Sequence, residues 1–285
     1  MIKRSTIQLL RFHFSFFLLP VFLFAISEVE QVNTSRAIAV FVILHLLVYP
    51  SSNGYNSYMD RDESPIGGLK NPVQPTKQLF YVSVVMDVIA VLLSLVISLH
   101  FALGILLYIM ASRAYSYRGI RLKQYPFIGF FTVFILQGAL IFFITYHAVH
   151  PQQILQVALL PCLISSLLIG ALYPLTQIYQ HRQDKNDGVT TISYFLGYKG
   201  TFIFSALLFL SATAALFMLY KSAQRINFFY YYLFIMFPVV LFFLFWMWRV
   251  WKNEEEANFK NSLVMNMLAT VCITIFFITV IIQKH

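Results

Sequence analysis

Nine mostly apolar runs set the limits on what this chain can fold into: 12–27, 36–52, 78–98, 100–117, 125–146, 154–175, 199–220, 228–250 and 262–282. A helix needs about 20 such residues to cross the hydrocarbon of a bilayer. In lipid each span must satisfy its own backbone hydrogen bonds, so only helices and closed barrels cross. A barrel would read as short alternating strands, and these runs do not alternate. Composition agrees: 59% of residues are hydrophobic, 11% are charged and 30 are Phe, whereas a soluble domain is nearer a quarter charged. The expectation is an all-α, polytopic membrane protein of nine spans.

The basic residues orient it. Cytoplasmic flanks carry the excess of Lys and Arg. With nine spans, 16 of the 20 Lys and Arg fall on one side, among them Lys3, Arg4, Arg113 and Lys260; Arg36, Lys221, Arg225 and Lys284 fall on the other. That places the N-terminus in the cytoplasm and the C-terminus outside. Lys3, Arg4 and Arg11 ahead of Phe12–Ser27 would also suit a signal peptide cleaved near Ala25 or Ser27. An uncleaved first span is preferred, because its removal leaves an even count. The net charge of +9 is then largely topogenic and does not point to nucleic acid, although basic flanks also hold anionic lipid headgroups. Cys162 and Cys272 lie in distant apolar runs and read as packed thiols, without a disulfide or zinc site.

Acidic residues are scarce, 11 in all, yet Asp60, Asp62 and Glu63 fall together just after the second span. The loop after the second span is expected over residues 53–77, and another polar loop runs from Tyr173 to Gly188 after the sixth. Asn56 and Asp60 are four apart, with Asn53 three earlier; Gln177, Gln180 and Asp184 follow spacings of three and four, with Asp187 three further on. On helices such residues share a face. Carboxylate and amide oxygens are hard ligands, and Mg²⁺ typically takes one or two carboxylates together with waters and substrate phosphates. Two such faces meeting across a bundle would hold a metal-bridged diphosphate. Two solvated loops with helix caps would account for the same residues. Arg61, Arg118, Arg121, Lys123, Arg182 and Lys185 lie on the same side. Arg grips phosphate as a fork and Lys as a point charge. Acids and cations at one face, above an aromatic-rich bundle, suit a ligand with a diphosphate head and an apolar tail. A transporter would place them nearer the midplane.

In order along the chain, these motifs resemble the UbiA-type intramembrane prenyltransferase superfamily. Arg11 to Pro20 is similar to its opening R-x(8)-P. Asn56-x-x-x-Asp60-x-x-x-Ser64 resembles its first Asp-rich motif, with Ser64 where a third acid is usual. Tyr115-Ser116 and Arg121-Leu122-Lys123 resemble its Y-S-x-x-x-R-L-K loop. Gln180-x-x-x-Asp184, with Asp187 beyond, resembles its second Asp-rich motif, with Gln180 where an Asp is usual. The resemblance implies nine helices bundled around a central apolar cavity, forming one domain over 1–285. It implies transfer of a prenyl group from a prenyl diphosphate to a lipophilic or aromatic acceptor, dependent on Mg²⁺, in the cell (inner) membrane with the site at its cytoplasmic face. Catalytic roles fall to Asp60, Asp184, Arg121 and Lys123. Substrate binding falls to Asn53, Asn56, Arg61, Tyr115, Tyr179, Gln177, Gln180 and Lys185, and the metal to Asn56, Asp60, Asp62, Asp184 and Asp187. Ser64 and Gln180 leave room for a different class, a non-catalytic carrier of prenyl lipids. Asp87 is the one acid within a span. Intramembrane carboxylates are costly, so it either serves a function or is held by hydrogen bonds, and no partner is legible.

Overall fold

The structure is a computed structural model and describes residues 2–284. Among them, nine helices are long and apolar enough to cross a membrane: α1 Arg4–Glu28, α2 Thr34–Asp60, α3 Lys77–Ile97, α4 Leu99–Ser116, α5 Pro126–Val149, α6 Leu159–Asn186, α7 Ile192–Ser222, α8 Ile226–Lys252 and α9 Phe259–Lys284. The described residues contain no strand, only an isolated bridge between Ile66 and Leu69.

Span number and order match the apolar runs, but several ends do not. Helix α2 runs on through residues 53–60, where a loop was expected, and stops at Arg61, whose φ of 54° takes it into the left-handed region. Helix α6 likewise continues past residue 175 through one 3₁₀ turn, Ile178–Gln180, to Asn186. The physical reason is common to both. Their polar side chains face into the bundle and find partners there, so the backbone need not leave the helix where hydropathy falls. Helix α7 begins at Ile192, capped by Thr191, rather than at 199; Gly197 sits inside it at φ 67°, ψ 176°, which divides the two pieces. Helix α1 begins at Arg4 instead of 12 and is broken at Arg11 (φ 46°), beyond which Phe12–Leu18 winds as a 3₁₀ helix. The third and fourth helices separate at Ser98, whose hydroxyl accepts from Phe101 N at 3.0 Å.

The core lies where α1, α5 and α9 meet. Phe24 is fully buried there, its ring 4.9 Å from Phe142 and 4.7 Å from Phe277 between centroids. Helices α5 and α6 approach to backbone contact: a Cβ on Gly138 would stand 2.4 Å from Ser166 Cα. Small residues at such crossings are how helices pack where no hydrophobic drive separates them from lipid. Helix α8 lies at the periphery and turns side chains such as Phe234, 82% exposed, outward, as a lipid-facing helix does.

Candidate active site

A cavity of about 270 Å³ opens at the end of the bundle where α2 and α6 carry their polar extensions. One face of α2 supplies Tyr49, Ser52, Asn53, Asn56 and Asp60. One face of α6 supplies Leu172, Tyr173, Thr176, Gln177, Gln180, Gln183 and Asp184. The loop between α4 and α5 hangs Arg121 and Lys123 over the opening, and Asp62 and Asp187 complete the rim. Farther in, Phe17, Leu18, Val133, Leu136 and Ile169 make the wall apolar. The result is a charged mouth over an apolar floor.

The charges are arranged in pairs. Lys123 Nζ donates to Asp60 Oδ2, and Arg121 NH2 stands 3.7 Å from Asp60 Oδ1. The same Arg121 NH2 donates to Asp187 Oδ2 at 3.0 Å. Thr191 Oγ1 donates to Asp184 Oδ2 at 3.0 Å. Gln183 joins the two polar segments: its amide nitrogen donates to Asp62, and its carbonyl oxygen accepts from Ser64. Burial, with the charge of Asp60, pushes the Asp62 carboxyl up to about 6, against the pull of Lys123, Arg11 and the Gln183 hydrogen bond.

Of the residues singled out from sequence, Asn53, Asn56, Asp60, Asp62, Tyr115, Arg121, Lys123, Gln177, Tyr179, Gln180, Asp184 and Asp187 all line this one cavity. Arg61 and Lys185 are exposed and do not line it. Arg61 occupies the left-handed position that ends α2, and Lys185 lies on the outer face of the last turn of α6. Beside Ser64, Glu63 is exposed, and Asp62 is the acid that faces in.

The donor set fits a hard cation. Asp60 Oδ1 and Gln177 Oε1 are buried without a hydrogen-bond partner, on side chains of residues only 8% and 6% exposed. Asn56 spends its amide nitrogen on Ser116 Oγ at 2.9 Å, which leaves its carbonyl oxygen to accept. Among the described residues no three His, Cys, Asp or Glu side chains converge as a ready cage, and Lys123, Gln183, Thr191 and Arg121 each hold one of the acids. Mg²⁺ needs only one or two carboxylates where substrate phosphates fill the rest of its shell.

Sequence reasoning passed over three contributors. Arg11, read as topogenic and as the first residue of the R-x(8)-P motif but given no role in the site, is 5% exposed, and its guanidinium donates to the carbonyls of Gly67 at 3.2 Å and Asn53 at 3.3 Å. Tyr173 shares a hydroxyl–hydroxyl hydrogen bond with Tyr115. Gln183, one residue before Asp184, carried no spacing signal of its own.

The model of the UbiA prenyltransferase family matches residues 17–271, so the chain belongs to the UbiA prenyltransferase family, whose members are intramembrane enzymes. No curated protein sequence matches the chain. Solved structures share the fold. A UbiA homologue from Archaeoglobus fulgidus bound to geranyl diphosphate and Mg²⁺ is 17% identical at a TM-score of 0.72, over 97% of this chain and 99% of that one. A UbiA homologue from Aeropyrum pernix K1 is 16% identical at 0.69, over 94% and 97%. A digeranylgeranylglyceryl phosphate synthase is 17% identical at 0.62, over 99% and 98%.

Proposed function

We propose that this cavity binds a prenyl diphosphate with Mg²⁺ and transfers the prenyl group to a lipophilic or aromatic acceptor that enters from the membrane. The observation that carries this reading is the buried Asp60 Oδ1, which accepts no hydrogen bond and has only the Arg121 guanidinium 3.7 Å away, in a cavity that also holds Lys123 and Asp184. The bound geranyl diphosphate and Mg²⁺ of the Archaeoglobus fulgidus homologue support it. The basic flanks support a cytoplasmic mouth. The whole chain acts as one domain.

Asp60 and Asp184 would hold the metal, with Asn56, Gln177 and Asp62 as further oxygen donors. When bound, Mg²⁺ supplies Lewis-acid stabilisation of the leaving diphosphate. Arg121 and Lys123 aim cationic donors at the same oxygens, where charge develops as the prenyl C1–O bond breaks and its electron pair passes to the diphosphate. Gln180 and Asn53 orient the head by hydrogen bonds. The rings of Tyr115, Tyr173 and Tyr179 border the cavity and offer π faces to the allylic carbocation-like centre. The apolar wall around Leu136 and Ile169 takes the tail and keeps water from the cation. The acceptor then forms its bond to C1; an aromatic-ring or hydroxyl acceptor loses a proton.

The test is release of diphosphate from a labelled allylic diphosphate by the purified chain in vesicles, with several acceptor classes. Mg²⁺-dependent release that Asp60→Ala abolishes supports the reading. Equal inertness of wild type and variant across chain lengths and acceptors would favour the carrier.

A further inference from the structure

The cavity face of α2 is backed by an ion pair that the proposed reaction does not use. Asp87 of α3 and Arg113 of α4 meet behind residues 49–60. Arg113 Nε donates to Asp87 Oδ2 at 2.9 Å, and its NH2 reaches the same oxygen. Ser51 Oγ lies 2.5 Å from Asp87 Oδ1, and Arg113 NH1 reaches the Ser51 carbonyl at 3.4 Å. The Arg113 guanidinium also lies 4.1 Å over the ring of Tyr55. Both charges are therefore fixed to two points on one helix.

Those two points lie opposite the cavity. At about 100° per residue, Tyr49, Ser52, Asn53, Asn56 and Asp60 cluster on one side of α2. Ser51 and Tyr55 fall on the other. The ladder that enters this piece of α2 changes register: a π-helical turn spans Ile43–Val48, Tyr49 N donates back to the Leu44 carbonyl, and Pro50 follows with no N–H to give. An uninterrupted α-helical ladder therefore does not set its rotation. Apolar packing would hold it against α3 and α4 without choosing an angle, and would not need two charges at a depth where each is costly. A fork of donors gripping a carboxylate, a backbone carbonyl and a ring does choose one.

We propose that Asp87 and Arg113 are positioning residues that set the rotation of residues 49–60, so that Asn53, Asn56 and Asp60 face the head of the substrate. The proposal rests on the reading above that this face binds a metal-bound diphosphate.

Two measurements on the full chain in vesicles test it. The first is the Mg²⁺ concentration giving half-maximal diphosphate release, compared between wild type and Asp87→Asn using monodisperse, folded protein. Removing a group that orients a metal ligand costs about 10- to 100-fold in metal affinity, so that concentration rises by such a factor. A merely structural pair would lower the yield or melting temperature and leave it unmoved. The second does not depend on activity. With Cys162 and Cys272 replaced, the thiol introduced by Ser52→Cys points into the cavity and reacts with a water-soluble thiosulfonate; adding Asp87→Asn slows this reaction severalfold. If Asp87→Asn does not fold, Arg113→Lys keeps the charge, loses the fork and shifts both readings in the same direction. Wild-type values for both readings in a folded variant overturn the proposal. A wild type that releases no diphosphate sinks the reaction reading instead, and the thiosulfonate rates of the Ser52→Cys proteins still decide the positioning role.

Discussion

Lys123 and Asp60 are joined across 63 residues of chain by a charge-assisted hydrogen bond at the mouth of the cavity. In the proposed site, Lys123 is the phosphate-binding side chain and Asp60, which holds it, the metal-binding one; Arg121 is held by Asp187. When a diphosphate carrying Mg²⁺ enters, the cations have phosphate oxygens to move to and the carboxylates have the metal. Hydrogen bonds to charged groups contribute about 1.5–3 kcal/mol. Lys123→Met is thus expected to raise the KM for the prenyl diphosphate by roughly 10- to 100-fold, measured from initial rates at saturating Mg²⁺.

Ser64 and Gln183 close the gap between the loop after α2 and the end of α6 with neutral partners. A carboxylate at position 64 would stand beside Asp62 without a cation of its own. Ser64→Asp is therefore expected to lower the melting temperature of the metal-free chain, and to make that temperature rise more steeply with added Mg²⁺ than in wild type. A thermal-shift titration reads both slopes; parallel curves would contradict the expected coupling.

The pH response follows from Asp62, whose carboxyl burial and Asp60 hold at about 6 against an ordinary value of 3.8. The folded chain keeps a proton there that the unfolded chain gives up. The associated stability is fully present below the ordinary value and is lost as pH rises through about 6. Metal-free wild type should gain stability from pH 7 to pH 5 relative to Asp62→Asn, which has no proton to bind there. Melting curves of the two proteins at both pH values check the sign.

A Cβ on Gly138 would meet the backbone Cα and N of Ser166 first, and backbone cannot turn aside as a side chain can. Gly138→Ala should force α5 and α6 apart and cost about 1–3 kcal/mol, the usual range for overpacking, read as a lower midpoint in detergent unfolding. Because Leu136 and Gln137 line the cavity from the same turn, transfer should fall as well.

Much of this was legible in the sequence, and for particular reasons. Apolar length marked all nine spans, because a bilayer imposes one ruler on every helix. Asn56 with Asp60, and Gln180 with Asp184, were legible because helical spacing puts polar residues on one face. Their helix was not legible as part of a span: hydropathy falls after residue 52, and a window average cannot tell a polar face turned to a cavity from one turned to water. Arg11 was legible as a flanking cation and as the start of a motif but not as a residue of the cavity, since that place depends on the left-handed break that carries it to the carbonyls of Gly67 and Asn53. Asp87 announced itself, but its partner did not. Arg113 is 26 residues away on the next helix, and antiparallel packing, which no local spacing encodes, brings the two together.

The most direct measurement is magnetic coupling between Mn²⁺, placed in the site instead of Mg²⁺, and the phosphorus nuclei of a non-reactive prenyl thiolodiphosphate bound to the chain. A metal held by Asp60 and touching the diphosphate gives a ³¹P coupling in wild type that is lost in Asp60→Asn and in Asp184→Asn at the same Mn²⁺ concentration. An identical coupling in all three proteins would mean that the metal arrives on the substrate and needs neither carboxylate, and the account of the site would be wrong.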